Sequence, residues 1–173
     1  GGTWYTGITC ASINDGADRA SVPGTNPFGV QAMAPDARTW FFPTRTESGS
    51  RFEDAFLSAI TVLEPGDVLM LAMNPDNYDD PSGCLLLDPV VQEWVAIAQA
   101  FDIVVVIPAG DRQVALDFTD VSEDIDLEAL MVVGGAVPAA DGNYLRWWSS
   151  NYSAEDTVTA RLTNSVSMCA WGG

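Results

Sequence analysis

The chain has 173 residues, with 24 acidic side chains against seven basic ones, and its formal net charge is −17. This length fits one ordinary domain with a real core, and 47% apolar residues is too many for a disordered chain. No histidine or lysine occurs, which excludes a Ser-His-Asp triad, a histidine metal ligand and a Walker-type phosphate loop. The excess of acidic residues excludes a nucleic-acid-binding surface, because binding to phosphates requires clustered lysine and arginine.

The first third of the chain is predicted to contain little regular structure before one clear helix. Residues 1–11 are compatible with the end of a buried helix, and residues 14–35 read as a long loop rich in glycine, proline, asparagine and aspartate. A short aromatic strand is predicted at residues 38–42. Ser50 and Glu53 then form a capping-box pair ahead of an apolar stripe, which predicts a helix over residues 51–63.

The remainder alternates between apolar strands and a second helix. Asp88 and Pro89 predict the start of that helix, which ends near Phe101. Continuous apolar runs, typical of parallel strands buried on both faces, occur at residues 67–73, 103–107 and 130–133. Two weaker strands are predicted at residues 157–162 and 166–170. This order predicts an α/β fold, a doubly wound and mostly parallel sheet with flanking helices, in a single domain over residues 1–173.

Ligands of such sheets bind beyond the carboxyl ends of the strands. That rule places three segments on one edge, two of which supply the candidate binding residues and a third of which contains Gly134 and Gly135. The candidate binding residues are Ala72, Met73, Asn74, Pro108, Ala109, Gly110 and Asp111.

Five parts of the chain resemble, in order, the motifs of subtilisin-like serine proteases. Residues 1–8 (GGTWYTGI) resemble the segment that carries the family's catalytic histidine. The other matches are residues 30–37 (VQAMAPDA), 67–74 (DVLMLAMN), 103–111 (IVVVIPAGD) and 129–136 with 146–152 (ALMVVGGA, RWWSSNY). The resemblance implies the family's doubly wound fold, here truncated at both ends, with residues 72–74 and 107–111 as the walls of a substrate cleft.

The departures from the family pattern bear on function. Gly1 stands at the position of the catalytic histidine, and the segments with the catalytic aspartate and serine have no match in the chain. Ser167 superficially echoes the nucleophile motif but fits better as an ordinary strand serine. Asp111 occupies the position of the oxyanion asparagine, where an ionised carboxylate has no hydrogen to donate. We therefore expect no catalytic residue and no enzyme activity.

The leading hypothesis is a catalytically inactive pseudoprotease that binds peptide or protein, or serves assembly. The alternative is a fragment or subunit of a subtilisin-like endopeptidase whose Asp- and Ser-bearing segments are missing from this chain, and a structural subunit is a third hypothesis. The acidity favours a basic partner. We expect no nucleic acid, no membrane span, a possible oligomer or larger assembly, and an extracytoplasmic or secreted location.

Other residues have competing interpretations. No metal or cofactor is predicted, although the acidic segments 74–80 and 117–128 contain the oxygen ligands that Ca²⁺ prefers. Cys10, Cys84 and Cys169 allow one disulfide and one remaining thiol. Trp147 and Trp148 fit core packing or partner contact, and residues 151–153 form one glycosylation sequon.

Overall fold

The computed structural model describes residues 37–47, 49–72, 83–138, 144–153 and 168–171. The chain divides into two units, Gly1–Ala59 and Ile60–Gly173. The elements predicted at residues 1–11, 14–35 and 157–162 lie outside the described residues, as does the acidic segment 74–80.

The described part of the first unit contains an irregular segment at residues 37–44, a hairpin, and a helix that extends one residue into the second unit. Strands β1 (Arg45–Thr46) and β2 (Gly49–Ser50) pair antiparallel, and helix α1 (Phe52–Ile60) follows directly. The predicted apolar stripe is buried along α1 at Phe52, Ala55, Phe56 and Ala59, which confirms the helix. It ends three residues earlier than predicted because the β-branched pair at 61–62 and the restricted residue before Pro65 disfavour another helical turn.

The aromatic strand predicted at residues 38–42 is wrong. These residues are irregular, and both Trp40 and Phe41 are exposed. The guanidinium of Arg38 lies over the indole of Trp40, 4.5 Å from the ring centroid. A local cation–π contact, rather than a strand pairing, therefore accounts for the arrangement of these side chains.

A five-stranded sheet forms the centre of the second unit. Its strands are β3 (Val68–Met70), β4 (Val104–Pro108), β6 (Leu130–Pro138), β7 (Tyr144–Arg146) and β9 (Met168–Trp171). The pairs β3–β4, β4–β6 and β6–β9 are parallel, whereas β7 pairs antiparallel with β6. A second small sheet consists of β5 (Ala115–Leu116) and β8 (Tyr152–Ser153), which pair in parallel.

Helix α2 (Pro89–Ala100) connects β3 to β4 after a 3-10 helix at Leu85–Leu87. The side chain of Asp88 caps α2 by accepting from the backbone N–H groups of Val90 (2.8 Å) and Val91 (3.4 Å), and proline occupies the first helical position. This confirms the predicted start of the helix.

The core of the second unit lies on one face of the sheet. Buried side chains on that face come from the three parallel strands and from α2: Leu69, Val105, Ile107, Leu130, Val132, Val91, Val95 and Ala98. On the opposite face Val68 is 59% exposed, and Met70 and Met131 are also exposed. The prediction that all three strands are buried on both faces is therefore wrong for β3 and, at Met131, for β6. Strand β3 shows the alternation of a strand covered on one face.

Strand β4 leaves the sheet before β6 ends, and β7 then takes its place beside β6. The backbone N–H of Ala109 donates to the Val133 carbonyl (2.8 Å), and two residues further along β6 the Trp147 N–H donates to the Gly135 carbonyl (2.8 Å). Residues 109–114 are thereby directed away from the sheet at its carboxyl edge.

The described residues thus form a mixed α/β fold with one mostly parallel sheet and two helices. None of the helices in these residues is both long and apolar enough to cross a membrane.

Candidate functional site

The sheet brings two of the predicted segments to the same edge. Met70 pairs with Val106 across β3 and β4, so Ala72 and Pro108 each follow two residues after a matched pair. We call Ala72 together with residues 108–111 the rim. Ala72 and Asp111 are exposed, Pro108 and Gly110 are half-buried, and Ala109 is buried. Met73 and Asn74 lie outside the described residues.

Gly134 and Gly135 do not lie at a strand end, contrary to prediction, because β6 continues through them to Pro138. Gly135 allows close packing instead. A Cβ atom on this residue would lie 3.0 Å from the Cβ atom of Trp147 and 3.5 Å from that of Ser150. The glycine therefore lets the segment after β7 approach β6 closely.

Asn151 fixes the loop after β4 through its side chain. Its Oδ1 atom accepts from the backbone N–H groups of Arg112 (3.0 Å) and Val114 (3.1 Å), while Nδ2 donates to the carbonyl of Ala109 (2.8 Å). The backbone N–H of Asn151 also donates to the Gly110 carbonyl (3.0 Å). Asn151 is only 1% exposed, so water cannot replace these bonds without opening the structure.

We call the hydrogen bonds of Asn151 to Ala109, Gly110, Arg112 and Val114 the Asn151 clamp. Ser150 connects this clamp to the sheet. The Gly135 N–H donates to the Ser150 hydroxyl (2.8 Å), and that hydroxyl donates to the Asn151 carbonyl (2.9 Å). Both residues are buried, and among the described side chains no buried polar atom lacks a hydrogen-bond partner. A fully bonded polar network of this kind holds the loop in one geometry.

Gly110 is required by the packing of three segments. Its φ angle is +95°, and a Cβ atom there would lie 2.7 Å from Asn151 Nδ2 and 2.9 Å from the Gly83 carbonyl oxygen. Both separations are far below an ordinary contact. Only glycine allows the rim, the chain before the 3-10 helix and the Asn151 segment to meet here.

The backbone donors after Asp111 are used within the protein. The N–H groups of Arg112 and Val114 bond to Asn151 Oδ1, and the N–H of Gln113 donates to the Ser149 carbonyl (3.1 Å). These three successive amides are therefore not directed at a bound oxyanion, which an acyl-transfer site would require of its donors.

Charged side chains at the rim are mostly in contact with water. The Asp111 side chain is 57% exposed, and Arg112 Nε lies 4.0 Å from its Oδ1 atom. An ion pair with this exposure contributes little to stability. Arg146 donates to the Ser150 carbonyl (2.8 Å) and lies over the ring of Tyr152, 4.2 Å from its centroid.

Side chains of helix α2 hold the acidic segment 117–128. Gln99 donates to the Asp126 carbonyl (2.8 Å) and accepts from the Asp126 N–H (3.0 Å), and Gln92 accepts from the Ser122 N–H (3.0 Å). Within the part of the chain that is described, no three acidic, cysteine or histidine side chains come together as metal ligands would. Cys84 is a buried thiol beside the 3-10 helix.

Sequence reasoning did not identify Asn151 as the residue that organises the rim. Its position in a family-like S-N-Y segment was the available signal, but its four bonds join residues about forty positions apart and depend on the tertiary fold. The burial of Asn151 also makes the sequon at residues 151–153 inaccessible in the folded chain. The Nδ2 atom that a glycan would modify is buried and bonded to Ala109.

No protein-family model matches this chain, and a search of curated proteins gives no significant match. The resemblance to subtilisin-like proteases is therefore one of sequence motifs alone, and membership of that family stays a prediction.

Proposed function

We propose that this chain is a subtilisin-like pseudoprotease domain that binds a peptide or protein segment along the rim without cleaving it. The proposal rests on two properties of the loop after β4, its fixed backbone and the exposed carboxylate of Asp111. This loop has the rigid support expected of a binding wall, yet Asp111 presents an exposed carboxylate at the position of an oxyanion donor. A loop that is held rigidly but offers no oxyanion donor at residue 111 is better suited to binding a segment than to hydrolysing it.

Three features argue against hydrolysis. The chain contains no histidine, so it lacks the imidazole base that activates a serine in the family. An ionised carboxylate at residue 111 would repel a developing oxyanion. The amides of residues 112–114 already donate to Asn151 and Ser149. Loss of the base alone lowers turnover about a millionfold in such triads.

Three features favour binding. The small side chain of the exposed residue Ala72 leaves room for a bound backbone beside the strand ends. The Asn151 clamp fixes the adjacent loop before any ligand arrives, which lowers the entropy lost on binding. The net charge of −17 attracts a basic partner over a distance set by the salt concentration.

The test is selection of octapeptides from a displayed library on the wild-type protein, followed by titration of the selected peptides. Ala72→Arg places a long side chain on the rim, whereas Ala100→Arg places the same side chain on an exposed position at the end of α2. We expect Ala72→Arg to weaken binding at least about tenfold and Ala100→Arg to leave it unchanged. Failure to select any peptide, or equal effects of both variants, would contradict the proposal.

A further inference from the structure

We infer that Trp148 forms a docking platform for an arginine or lysine side chain of a basic partner segment bound at the rim. This inference rests on the proposed function and adds the chemistry of the partner. The observation behind it is an exposed indole, 66% accessible, on a rigid turn beside the rim of a strongly acidic protein.

The turn that carries Trp148 is fixed on both sides. The Ser150 N–H donates to the Trp147 carbonyl (3.0 Å), which closes the turn around Trp148. The Trp147 N–H is bonded to β6 through Gly135, and the Ser150 hydroxyl accepts from the N–H of the same glycine. An exposed aromatic side chain on such a fixed backbone loses little conformational freedom when a partner binds.

Backbone hydrogen bonds place the turn that carries Trp148 next to the rim. Ser149, the residue after Trp148, accepts from the N–H of Gln113, and Asp111 lies only two residues before Gln113. In the proposed complex, the bound segment extends from the rim across this turn and contacts both the Asp111 carboxylate and the indole. A cationic side chain suits both groups, since it pairs with the carboxylate and is attracted to the face of the ring.

Two other exposed aromatic rings in the described residues each contact an arginine of the chain. Arg38 lies over Trp40, and Arg146 lies over Tyr152, each within 5 Å of the ring centroid. Among the described residues, no arginine of this chain covers Trp148; its ring neighbour is Trp147, 6.4 Å away and tilted by 45°. Since the chain has only seven basic residues against 24 acidic ones, a cation for Trp148 comes most readily from a basic partner.

The competing occupant of this surface is a second copy of the chain. Two copies that each have a charge of −17 repel one another at low salt, whereas a basic segment is attracted. Charge complementarity therefore favours the basic segment, and self-association becomes an outcome of the test.

The experiment uses two fluorescein-labelled octapeptides of alternating alanine and leucine, in which two central positions are arginine in one and citrulline in the other. Citrulline keeps the shape of arginine without the charge. Fluorescence anisotropy is measured with the wild-type protein, Trp148→Leu and Trp148→Phe. Trp40→Leu is the matched control because its indole already contacts Arg38.

We expect the wild-type protein to prefer the arginine peptide, and Trp148→Leu to weaken binding of that peptide about fivefold while hardly changing binding of the citrulline peptide. Trp148→Phe should retain part of the preference, and Trp40→Leu all of it. Unchanged preference in Trp148→Leu overturns the inference. So does a dimer, measured by sedimentation, that Trp148→Leu dissociates.

The experiments distinguish failure of the Trp148 inference from failure of the proposed function. If Ala72→Arg weakens binding of both peptides while Trp148→Leu weakens neither, the rim binds peptides and only the role of Trp148 is wrong. If neither peptide binds the wild-type protein, this inference is overturned, whereas the proposed function is overturned only if the library selection also yields no peptide.

Discussion

The side-chain nitrogen of Asn151 lies 2.7 Å from the point that a Cβ atom on Gly110 would occupy. The two residues are 41 positions apart in the sequence, yet the absence of a side chain at one allows the buried amide of the other to reach Ala109, Arg112 and Val114. The geometry of the rim therefore depends on this pair, of which Gly110 lies within the rim and Asn151 outside it.

Substitution of Gly110 by alanine tests this relationship. Gly110→Ala combines an unfavourable φ of +95° with contacts to Asn151 and Gly83 that cannot both relax, so we expect the free energy of unfolding to fall by about 3 kcal/mol. Gly66→Ala is the matched control: its φ is +92°, but nothing lies within 4 Å of the added atom. That control should cost about 1–2 kcal/mol. Urea denaturation followed by circular dichroism measures both, and equal losses would show that the contacts at Gly110 are unimportant.

Removal of the Asn151 side chain should be costly because its partners are buried. In Asn151→Ala the N–H groups of Arg112 and Val114 and the Ala109 carbonyl lose their bonds, and we expect a loss of about 3 kcal/mol in the free energy of unfolding. Gln99→Ala removes bonds to both backbone groups of Asp126 at an exposed site, where water replaces them. The loss there should stay below about 1 kcal/mol. A loss in Asn151→Ala no greater than in Gln99→Ala would contradict the account of the clamp.

Asp102 offers a stabilising substitution. It follows α2 with φ at +57°, and the bonds from its own N–H to the Gln99 carbonyl (2.9 Å) and from the Ile103 N–H to the Ala98 carbonyl (3.0 Å) form a Schellman motif. Glycine adopts this conformation without strain, so Asp102→Gly should raise the free energy of unfolding by about 1 kcal/mol. Asp102→Ala retains the strained φ and should give no gain. A melting temperature for Asp102→Gly at or below that of the wild type would refute this assignment.

The N-cap of α2 can be tested locally. Asp88→Ala removes the acceptor for the amides of Val90 and Val91, with an expected cost of about 1 kcal/mol. Amide hydrogen exchange should accelerate at these two residues, and Glu93→Ala, at an exposed position within the same helix, should leave their exchange unchanged. Unaltered exchange in Asp88→Ala would mean that the cap does not hold the helix start.

The parts of the fold that local chemistry determines were predictable. Asp88 and Pro89 marked the start of α2, and continuous apolar runs located the three parallel strands. The strand predicted at residues 38–42 was wrong because an aromatic composition does not supply a strand to pair with. Trp40 contacts Arg38 instead. The extension of β6 through Gly134 and Gly135 depended on pairing with β9, followed by pairing with β7, and no local pattern around the glycines reveals either partner.

The candidate site was predictable to a similar extent. The rule for parallel sheets located Ala72 and residues 108–111 at one edge, since only strand positions and order were needed. The support of that edge was not predictable, because Asn151, Ser150 and Gly83 reach Gly110 or its neighbours through contacts made only in the folded chain.

The claim that this fold binds without hydrolysis is tested most directly by reaction of the native protein with a fluorophosphonate, followed by intact mass spectrometry. Because no histidine is present to activate a serine, we expect the mass to remain unchanged under conditions that fully label a subtilisin-like protease. An adduct located on one serine would contradict the account, provided that it does not form when the protein is denatured before the reaction.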